Sequence, residues 1–353
     1  IMDFPGKFAE RIMPDKIHVL SLSFLVDTLT NNIGGCATNL AYTLKLLGID
    51  PLIMTAAGKD FGEMKEFFKK YGISTDAIKV FEDDYCSSYH VVTDCDDNQI
   101  GAFHIGASKH NKELSLFALK GRTLNSKARP YVTVRNKAVS HDNFVTIGPT
   151  DPIAMVKYVK ECHTMHFPYL YDPAFQIANF TPEELKEGLA GSAITIGNDY
   201  EIALIEQKLG ISHEELIVMV PVLITTLGPK GSIIETRTDA VHIKPAKVGN
   251  VIDPTGAGDA YRAGFLAGYL GTRPGLEAKG SGLNVPEGLT PETLGTRPGL
   301  ERKISPDKLT ICGQMGSIAA AYAVEKLGTV THTFTKKEFI KRYQENYGTK
   351  LVL

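Results

Sequence analysis

Short apolar runs rich in β-branched and aromatic residues alternate with helix-period segments along most of this chain. Five of these runs are bounded by turn residues and are typical of buried strands: 50–58, 144–149, 168–173, 193–198 and 222–228. Helical periodicity is present at 151–163 and 181–190, and the second segment opens with Thr181 and Glu184 at the spacing of a capping box. This alternation predicts an α/β fold with one doubly wound, mostly parallel sheet flanked by helices.

Two further pairs of regions interrupt this alternation. Residues 4–33 and 85–106 carry mixed apolar and polar runs, and we expect them to form antiparallel strands of a small β-sheet lid. Residues 121–143 and 271–308 are interpreted as surface insertions. The second of these contains the heptapeptide GTRPGLE twice, which is too few copies for a repeat architecture. We therefore assign residues 1–353 to a single α/β domain with a lid.

The charge balance and the length of the apolar runs argue against several classes of partner. A net charge of −2 gives no basis for binding to nucleic acid or to an anionic membrane. The longest apolar runs, such as VMVPVLI at 218–224, are far shorter than a membrane span. Five scattered cysteines, an odd number, indicate reduced thiols and a cytoplasmic protein. We expect a small-molecule substrate, and a monomer or a homodimer.

The segment VIDPTGAGDAYRAGF at 251–265 gives the strongest chemical signal. It predicts that a strand leads through Gly256 and Gly258 into a helix, whose backbone N–H groups can converge on an anion. Asp259 on the first helical turn adds a carboxylate, and a base beside an anion-binding loop suits phosphoryl transfer. A purely structural glycine-rich helix entrance is the alternative. The chain has neither GxxxxGK[ST] nor GxGxxG, which argues against a Walker A loop and a dinucleotide site.

Through the string DPTGAGD at 253–259, the chain resembles the ribokinase (PfkB) family of carbohydrate and nucleoside kinases, whose signature is D-x-T-G-A-G-D. The resemblance implies a ribokinase-like fold, ATP as the phosphoryl donor and Mg²⁺ as a cofactor. It also implies that Asp259 is the catalytic base, and that the amides of Gly256, Ala257 and Gly258 form an anion hole. The family's first sugar-hydroxyl ligand is left unassigned, because the strand that bears it is expected before Ile1.

Two other stretches resemble family motifs on the substrate and metal sides. In NNIGGCATNLAYTLKLLG, Gly34 and Gly35 would let the substrate approach the backbone, and Asn39 would bind a sugar hydroxyl. An ordinary turn and a capping asparagine are the alternatives. In NDYE, Asn198 and Glu201 would hold Mg²⁺ through water, as this ion keeps several waters in such sites. A solvated helix start is the alternative.

The stretch TTLGPKGS resembles the strand and loop that line the nucleotide in the family. Thr226, Gly228 and Gly231 are therefore candidate ATP contacts. A helix predicted over 313–329 would pack beside the adenine of ATP, or would be an ordinary core helix. Five residues follow predicted strands at the edge where open parallel sheets bind ligands: Gly148, Asp172, Asn198, Gly228 and Asp253.

Within the family the likeness is greatest to adenosine kinase-like members, which implies phosphorylation of the 5′-hydroxyl of adenosine. Phe24, Tyr89 and Phe103 lie in predicted lid segments, and Phe103 is expected to contact the substrate base by stacking. Packing within the lid is the alternative for these rings. A kinase for a free sugar or another nucleoside and a non-catalytic nucleotide-binding regulator are the other functions considered. A Rossmann oxidoreductase is disfavoured by the missing fingerprint.

Overall fold

The computed structural model describes residues 1–12, 22–96, 98–119, 143–271 and 304–353. The strands in these ranges, numbered in chain order, are β1 Met2–Asp3, β2 Thr28–Leu29, β3 Thr55–Gly58, β4 Ile78–Phe81, β5 Ser88–Thr93, β6 Gln99–His104, β7 Val145–Ile147, β8 Tyr169–Tyr171, β9 Ile194–Asn198, β10 Leu223–Thr226, β11 Ser232–Glu235 and β12 Ala240–Ile243. The α-helices are α1 Cys36–Leu46, α2 Gly62–Tyr71, α3 Pro152–Met165, α4 Pro182–Ala190, α5 Asp199–Leu209, α6 His213–Met219, α7 Ala257–Gly271, α8 Pro306–Val324 and α9 Lys336–Tyr347. None of the helices in the described ranges is long and apolar enough to cross a membrane.

The main sheet has six strands in the order β12-β11-β10-β9-β8-β7. Strands β7 to β10 are parallel, and β11 and β12 continue the sheet as antiparallel strands at one edge. Successive side chains point to opposite faces. Tyr169 and Tyr171 accordingly belong to the core formed with α3 to α6, whereas Leu170 packs in the core formed with α1, α7 and α8. Helices therefore cover both faces, as the sequence predicts.

Four of the five predicted strands lie in this main sheet, and the fifth does not. Only Thr55–Gly58 of the run at 50–58 is a strand, and it pairs in parallel with β4 in a separate two-stranded sheet. The predicted capping box at the start of α4 is confirmed. Thr181 N donates to Glu184 Oε2 over 2.9 Å, and Glu184 N donates to Thr181 Oγ1 over 3.2 Å.

A second sheet of four short strands has the order β2-β1-β5-β6. The pairs β1–β2 and β5–β6 are antiparallel, but β1 and β5 are parallel, so the prediction of antiparallel strands throughout is wrong for this pair. The chain between β2 and β5 passes through α1, α2 and the β3–β4 pair, and a connection of this length allows a parallel return. Residues 13–21 of the predicted lid segment, and residue 97, lie outside the described residues.

The ends of the second predicted insertion belong to helices. Gly271 is the last residue of α7, and α8 begins at Pro306 behind the N-cap Ser305, so the predicted boundaries of that insertion are wrong. Proline suits this first helical position because its N–H would have no helical partner there. The predicted C-terminal helix thus starts earlier than expected. Residues 120–142 and 272–303, with both copies of GTRPGLE except the first glycine, lie outside the described residues.

Helices α7 and α8 approach each other more closely than a side chain would allow. A Cβ atom built on Gly264 would lie 2.4 Å from the carbonyl oxygen of Met315, and one on Gly268 would lie 3.0 Å from Cys312 Cα. Because backbone atoms cannot move aside as a flexible side chain can, these glycines fix the separation of the two helices. The position of the first turn of α7 depends on this contact.

We expect Gly264→Ala to lower the free energy of unfolding by about 1–3 kcal/mol, the usual cost of overpacking a close-packed core. The matched control is Gly271→Ala on the same helix, where an added Cβ meets nothing within 4 Å. Urea unfolding followed by far-UV circular dichroism measures both. Equal stabilities for the two variants would contradict the close contact between α7 and α8.

Candidate active site

The glycine-rich loop before α7 is attached to the C-terminal end of α8. Ile252 N and Asp253 N both donate to Val324 O, at 2.7 and 3.2 Å. The prediction that a strand leads directly into the loop, and that Asp253 follows a strand end, is therefore wrong. Strand β12 ends at Ile243, and residues 244–256 contain no strand because their N–H groups bond outside the sheet.

The buried carboxylate of Asp253 holds the loop in shape. One oxygen, Oδ1, accepts a hydrogen bond from Thr255 N, and the other, Oδ2, accepts one from Gly328 N, both at 2.9 Å. Hydrogen bonds to an ionised acceptor are stronger than neutral ones. Asp253 therefore connects the loop to the segment that follows α8.

Thr329 lies between the two glycine segments singled out in the sequence. A Cβ on Gly256, whose φ is +80°, would lie 2.9 Å from Thr329 Cβ, and one on Gly34 would lie 3.4 Å from Thr329 Oγ1. Thr329 Oγ1 also donates to Ile33 O over 3.2 Å. Gly35, with φ +99°, is the N-cap of α1. The structure thus brings both glycine segments together around Thr329, a residue that no motif in the sequence marks.

Of the three residues expected to supply anion-hole amides, one is engaged within the loop. Ala257 N donates to Pro254 O over 3.2 Å, which closes a turn. Gly258 is the second residue of α7, where N–H groups have no partner within the helix. An anion at this helix start would therefore meet the amides of Gly256 and Gly258 first, and would compete with Pro254 for that of Ala257.

Asp259 lies on the first turn of α7, beside the candidate substrate ligand of α1. Asn39 Nδ2 donates to Asp259 Oδ2 over 2.8 Å, joining residues that are 220 positions apart in the chain. The side chain of Asp259 is nearly buried, with 8% of the residue exposed. Burial raises the pKa of this carboxyl above its ordinary value, while Arg262 and the hydrogen bond from Asn39 oppose the rise. The site thus combines a carboxylate with a helix start and a polar amide.

Among the described residues, Arg262 is the cation that forms an ion pair with Asp259. Its Nη1 lies 3.7 Å from Asp259 Oδ1, and its Nε lies 2.7 Å from Asp172 Oδ2. Burial raises the pKa of Asp172 to about 6, with Arg262 opposing this rise. The sequence analysis placed Asp172 at a strand end but missed Arg262. Its position three residues after Asp259, on a helix otherwise rich in small residues, was the available signal.

The candidate metal and nucleotide residues lie at adjacent strand ends. Asn198 ends β9 and Thr226 ends β10, and the two are paired in register. Asn198 and Glu201 form a capping box for α5, in which Asn198 Oδ1 accepts from Glu201 N and Glu201 Oε2 accepts from Asn198 N, both at 2.8 Å. A solvated helix start, the alternative to a Mg²⁺ site, is thus observed. Glu201 Oε1 takes no part in the capping box. Gly148, Asp172 and Gly228 also follow strands.

The two glycines of the loop after β10 differ in their surroundings. Gly228 has φ +56°, and an added Cβ would meet nothing within 4 Å, so its surface faces open space at the strand end. Gly231 has φ +94°, and its Cβ would lie 2.0 Å from Ile243 O. The loop therefore needs glycine at 231 for close packing on β12, and Gly228 is the better placed of the two for contact with a ligand.

The three aromatic residues of the predicted lid segments have different environments. Phe24 packs against Phe4 and Phe8, with ring centroids 5.0 Å from each, and Tyr89 covers Gly101. Packing, the alternative, is what the structure shows for Phe24, whereas Tyr89 is 56% exposed and pairs across the strands with Phe103.

Phe103 is also exposed, at 55%, on β6, and its ring centroid lies 6.1 Å from that of Phe175, which is 60% exposed. Phe175 belongs to the main domain and follows Ala174, a non-glycine residue with φ +43°. The sequence analysis missed Phe175, because a single aromatic residue after a strand carries no distinctive pattern. Two exposed rings from different parts of the fold thus lie next to each other.

Comparisons with known proteins agree with this geometry. The model of the pfkB family of carbohydrate kinases matches residues 9–285. A nucleoside kinase of Methanocaldococcus jannaschii is 27% identical over 315 residues, which cover 89% of this chain and 86% of the relative. The structure of Burkholderia thailandensis nucleoside kinase in complex with inosine is similar, with 27% identity, a TM-score of 0.75, and coverage of 99% of this chain and 95% of that one. Its complex with ADP-inosine gives 28% identity, a TM-score of 0.74, and coverage of 99% and 93%. The predicted ribokinase-like fold is confirmed, and the chain belongs to the PfkB family of carbohydrate kinases and is a phosphotransferase.

Proposed function

We propose that this protein is an ATP-dependent nucleoside kinase that phosphorylates a nucleoside at its 5′-hydroxyl, with adenosine as the expected substrate. The observation that carries this proposal is the placement of Asp259 at the glycine-rich start of α7, in hydrogen-bond contact with Asn39. One site then contains three groups: the carboxylate of Asp259, the anion-binding start of α7, and Asn39 as the candidate hydroxyl ligand. This combination is what transfer of a phosphoryl group to an alcohol requires.

The proposed reaction follows from the roles of these groups. Asp259 accepts the proton of the 5′-hydroxyl as its oxygen forms a bond to the γ-phosphorus of ATP. The bond from that phosphorus to the bridging β–γ oxygen breaks, and ADP leaves. The amides of Gly256 and Gly258, with that of Ala257, stabilise the negative charge on the moving phosphoryl group. Gly34, Gly35 and Asn39 hold the acceptor in line.

Residues at the ends of β9 and β10 fit the nucleotide and its metal. Glu201 Oε1 lies outside the capping box, and Asn198 is exposed beside it, so both can bind the water shell of Mg²⁺. When bound, the ion supplies positive charge that neutralises the phosphates. Thr226 and the open surface of Gly228 are adjacent candidates for contact with ATP, whereas we assign Gly231 to the shape of this loop.

Phe103 and Phe175 favour a nucleoside over a free sugar. A flat base offers stacking area that ribose lacks, and two exposed rings about 6 Å apart suit contact with its faces or edges. We interpret the chain as one domain in which the four-stranded sheet bearing Phe103 serves as the lid. The B. thailandensis relative was solved with inosine, which makes inosine the second purine nucleoside to test.

A substrate panel with the purified protein tests this function. ADP release is measured with ATP and Mg²⁺ against adenosine, inosine, a pyrimidine nucleoside, ribose and fructose. We expect the highest kcat/KM with adenosine. A preference for ribose or fructose would replace the proposal with a sugar kinase, and absence of turnover with every acceptor would favour a nucleotide-binding regulator.

Phe103→Ala should raise KM for the preferred nucleoside about 3- to 10-fold with little change in kcat, because a ring contact contributes roughly 0.5–1.5 kcal/mol. Ile100→Ala is the matched control, since Ile100 is on the same strand but on the opposite face. Initial rates over a range of nucleoside concentrations give both constants. Equal KM values for the two variants would exclude base contact by Phe103.

A further inference from the structure

The buried ion pair of Arg262 and Asp172 lies next to the proposed base and has no role in the reaction outlined above. Arg262 bridges two carboxylates, with Nε at 2.7 Å from Asp172 Oδ2 and Nη1 at 3.7 Å from Asp259 Oδ1. Its guanidinium also rests on the helix start, since a Cβ on Gly258 would lie 2.7 Å from Nη1. Arg262 therefore links Asp172, at the end of β8, to the Oδ1 oxygen of Asp259 on α7.

Every element around Asp259 contributes a group that acts on its charge. From α1, Asn39 donates a hydrogen bond to Oδ2, and the Cys36 thiol also opposes the rise in the pKa of Asp259. From α7 comes Arg262, and the end of β8 contributes Asp172. Glu201 of α5 is farther away and acts on Asp172 and Arg262 through space. Arg262 is the only full positive charge in this set of described groups.

Burying a carboxylate disfavours its ionised form, which is the form that a base needs. Arg262 supplies the compensating charge, but a flexible arginine could also turn toward solvent or toward the phosphates. Asp172 prevents this movement. It is 2% exposed, and its Oδ1 has no hydrogen-bond partner among the described residues, so its interaction with Arg262 is its main compensation for burial.

We propose that Arg262, braced by Asp172, is a positioning residue that keeps the Asp259 carboxylate ionised and oriented before the substrate arrives. This inference rests on the proposed function, because it assigns a purpose to the base of that reaction. In it, Arg262 acts through Asp259 and does not contact the transferred phosphoryl group. The charges of Arg262 and Asp172 then determine how readily Asp259 ionises, and with it the pH range over which the enzyme works.

The experiment compares the pH dependence of kcat/KM for the nucleoside in Arg262→Gln, Arg262→Lys and Asp172→Asn. Loss of the positive charge should move the acid limb of the profile to higher pH by about one unit or more, the usual effect of an adjacent opposite charge. Arg262→Lys keeps a positive charge at this position, so its acid limb should lie at nearly the same pH as that of the unsubstituted protein. Asp172→Asn should also move the limb to higher pH, though by less, because the guanidinium that Asp172 held can then turn away from Asp259.

A purely structural pair would lower activity by one factor at every pH and would not shift the limb in either variant. An unmoved limb in Arg262→Gln therefore overturns the proposal. So does a rise in KM for ATP with an unchanged limb, which would make Arg262 a phosphate ligand. If Arg262→Gln does not fold because Asp172 is left uncompensated, the double variant Arg262→Gln/Asp172→Asn removes both charges. It should still show an upward shift, since Arg262 is the nearer charge.

A readout without turnover separates this inference from the proposed function. Protein labelled with ¹³C at aspartate carboxyls gives a resonance for Asp259, assigned as the one missing from Asp259→Asn. Its titration midpoint should rise in Arg262→Gln and rise by less in Asp172→Asn. An unchanged midpoint overturns the role of Arg262 whether or not the protein phosphorylates nucleosides, whereas failure of the substrate panel alone leaves this result intact.

Discussion

Asp259→Asn should lower kcat by about 10²–10⁴-fold, because the amide cannot accept the proton of the attacking hydroxyl. The side chain keeps its size and can still accept the hydrogen bond from Asn39, so the site should retain its shape. Binding of ATP, measured by titration calorimetry, should change little. Initial-rate assays of ADP release with the preferred nucleoside measure kcat.

Asp307→Asn is the matched control for this variant. Asp307 is also on the first turn of a helix, α8, but it is exposed and distant in sequence from every candidate site residue. Its substitution should leave kcat unchanged. Near-normal turnover in Asp259→Asn would remove this residue from the chemistry and with it the central step of the proposed reaction.

Gly256→Ala should lower kcat by about 10²–10³-fold, the loss typical of removing one donor that stabilises transition-state charge. Two effects combine at this position. A φ of +80° is unfavourable for alanine, and its Cβ would lie 2.9 Å from Thr329 Cβ, so the loop must shift. A shift of even a fraction of an ångström turns the amide away from the phosphoryl group.

Gly210→Ala separates the effect on the reaction from the effect on the backbone. Gly210 also has a positive φ, +64°, and ends α5, but an added Cβ there meets nothing within 4 Å. Both variants should lose about 1 kcal/mol or more of stability from the left-handed conformation. Only Gly256→Ala should lose turnover. Comparable kcat values in the two variants would mean that the loop does not bind the phosphoryl group.

The parts of the fold that follow from local patterns were predicted from the sequence. Buried strands such as those at 193–198 and 222–228 are apolar on both faces and end in turn residues, so their composition alone distinguishes them. Val251 and Ile252 look similar in sequence but are exposed, at 64% and 58%. Their segment bonds to the end of α8, and this long-range partner leaves no trace in the local pattern.

The candidate site residues also divide into those that a local motif marks and those that only long-range contacts reveal. Asp259, Gly256 and Asn39 were selected because their motifs resemble those of a family, and the structure brings them together. Arg262 and Phe175 were missed, since each gains its meaning from a residue far away in the chain. Their partners could be recognised only after the strands and helices had been placed in three dimensions.

The attachment of the glycine-rich loop to residues after α8 has a consequence for how the protein is made. Gly328 N bonds to Asp253, and Thr329 bonds to Ile33, 296 positions away. During translation, therefore, these two hydrogen bonds cannot hold the glycine-rich loop in place until residues 328 and 329 have left the ribosome.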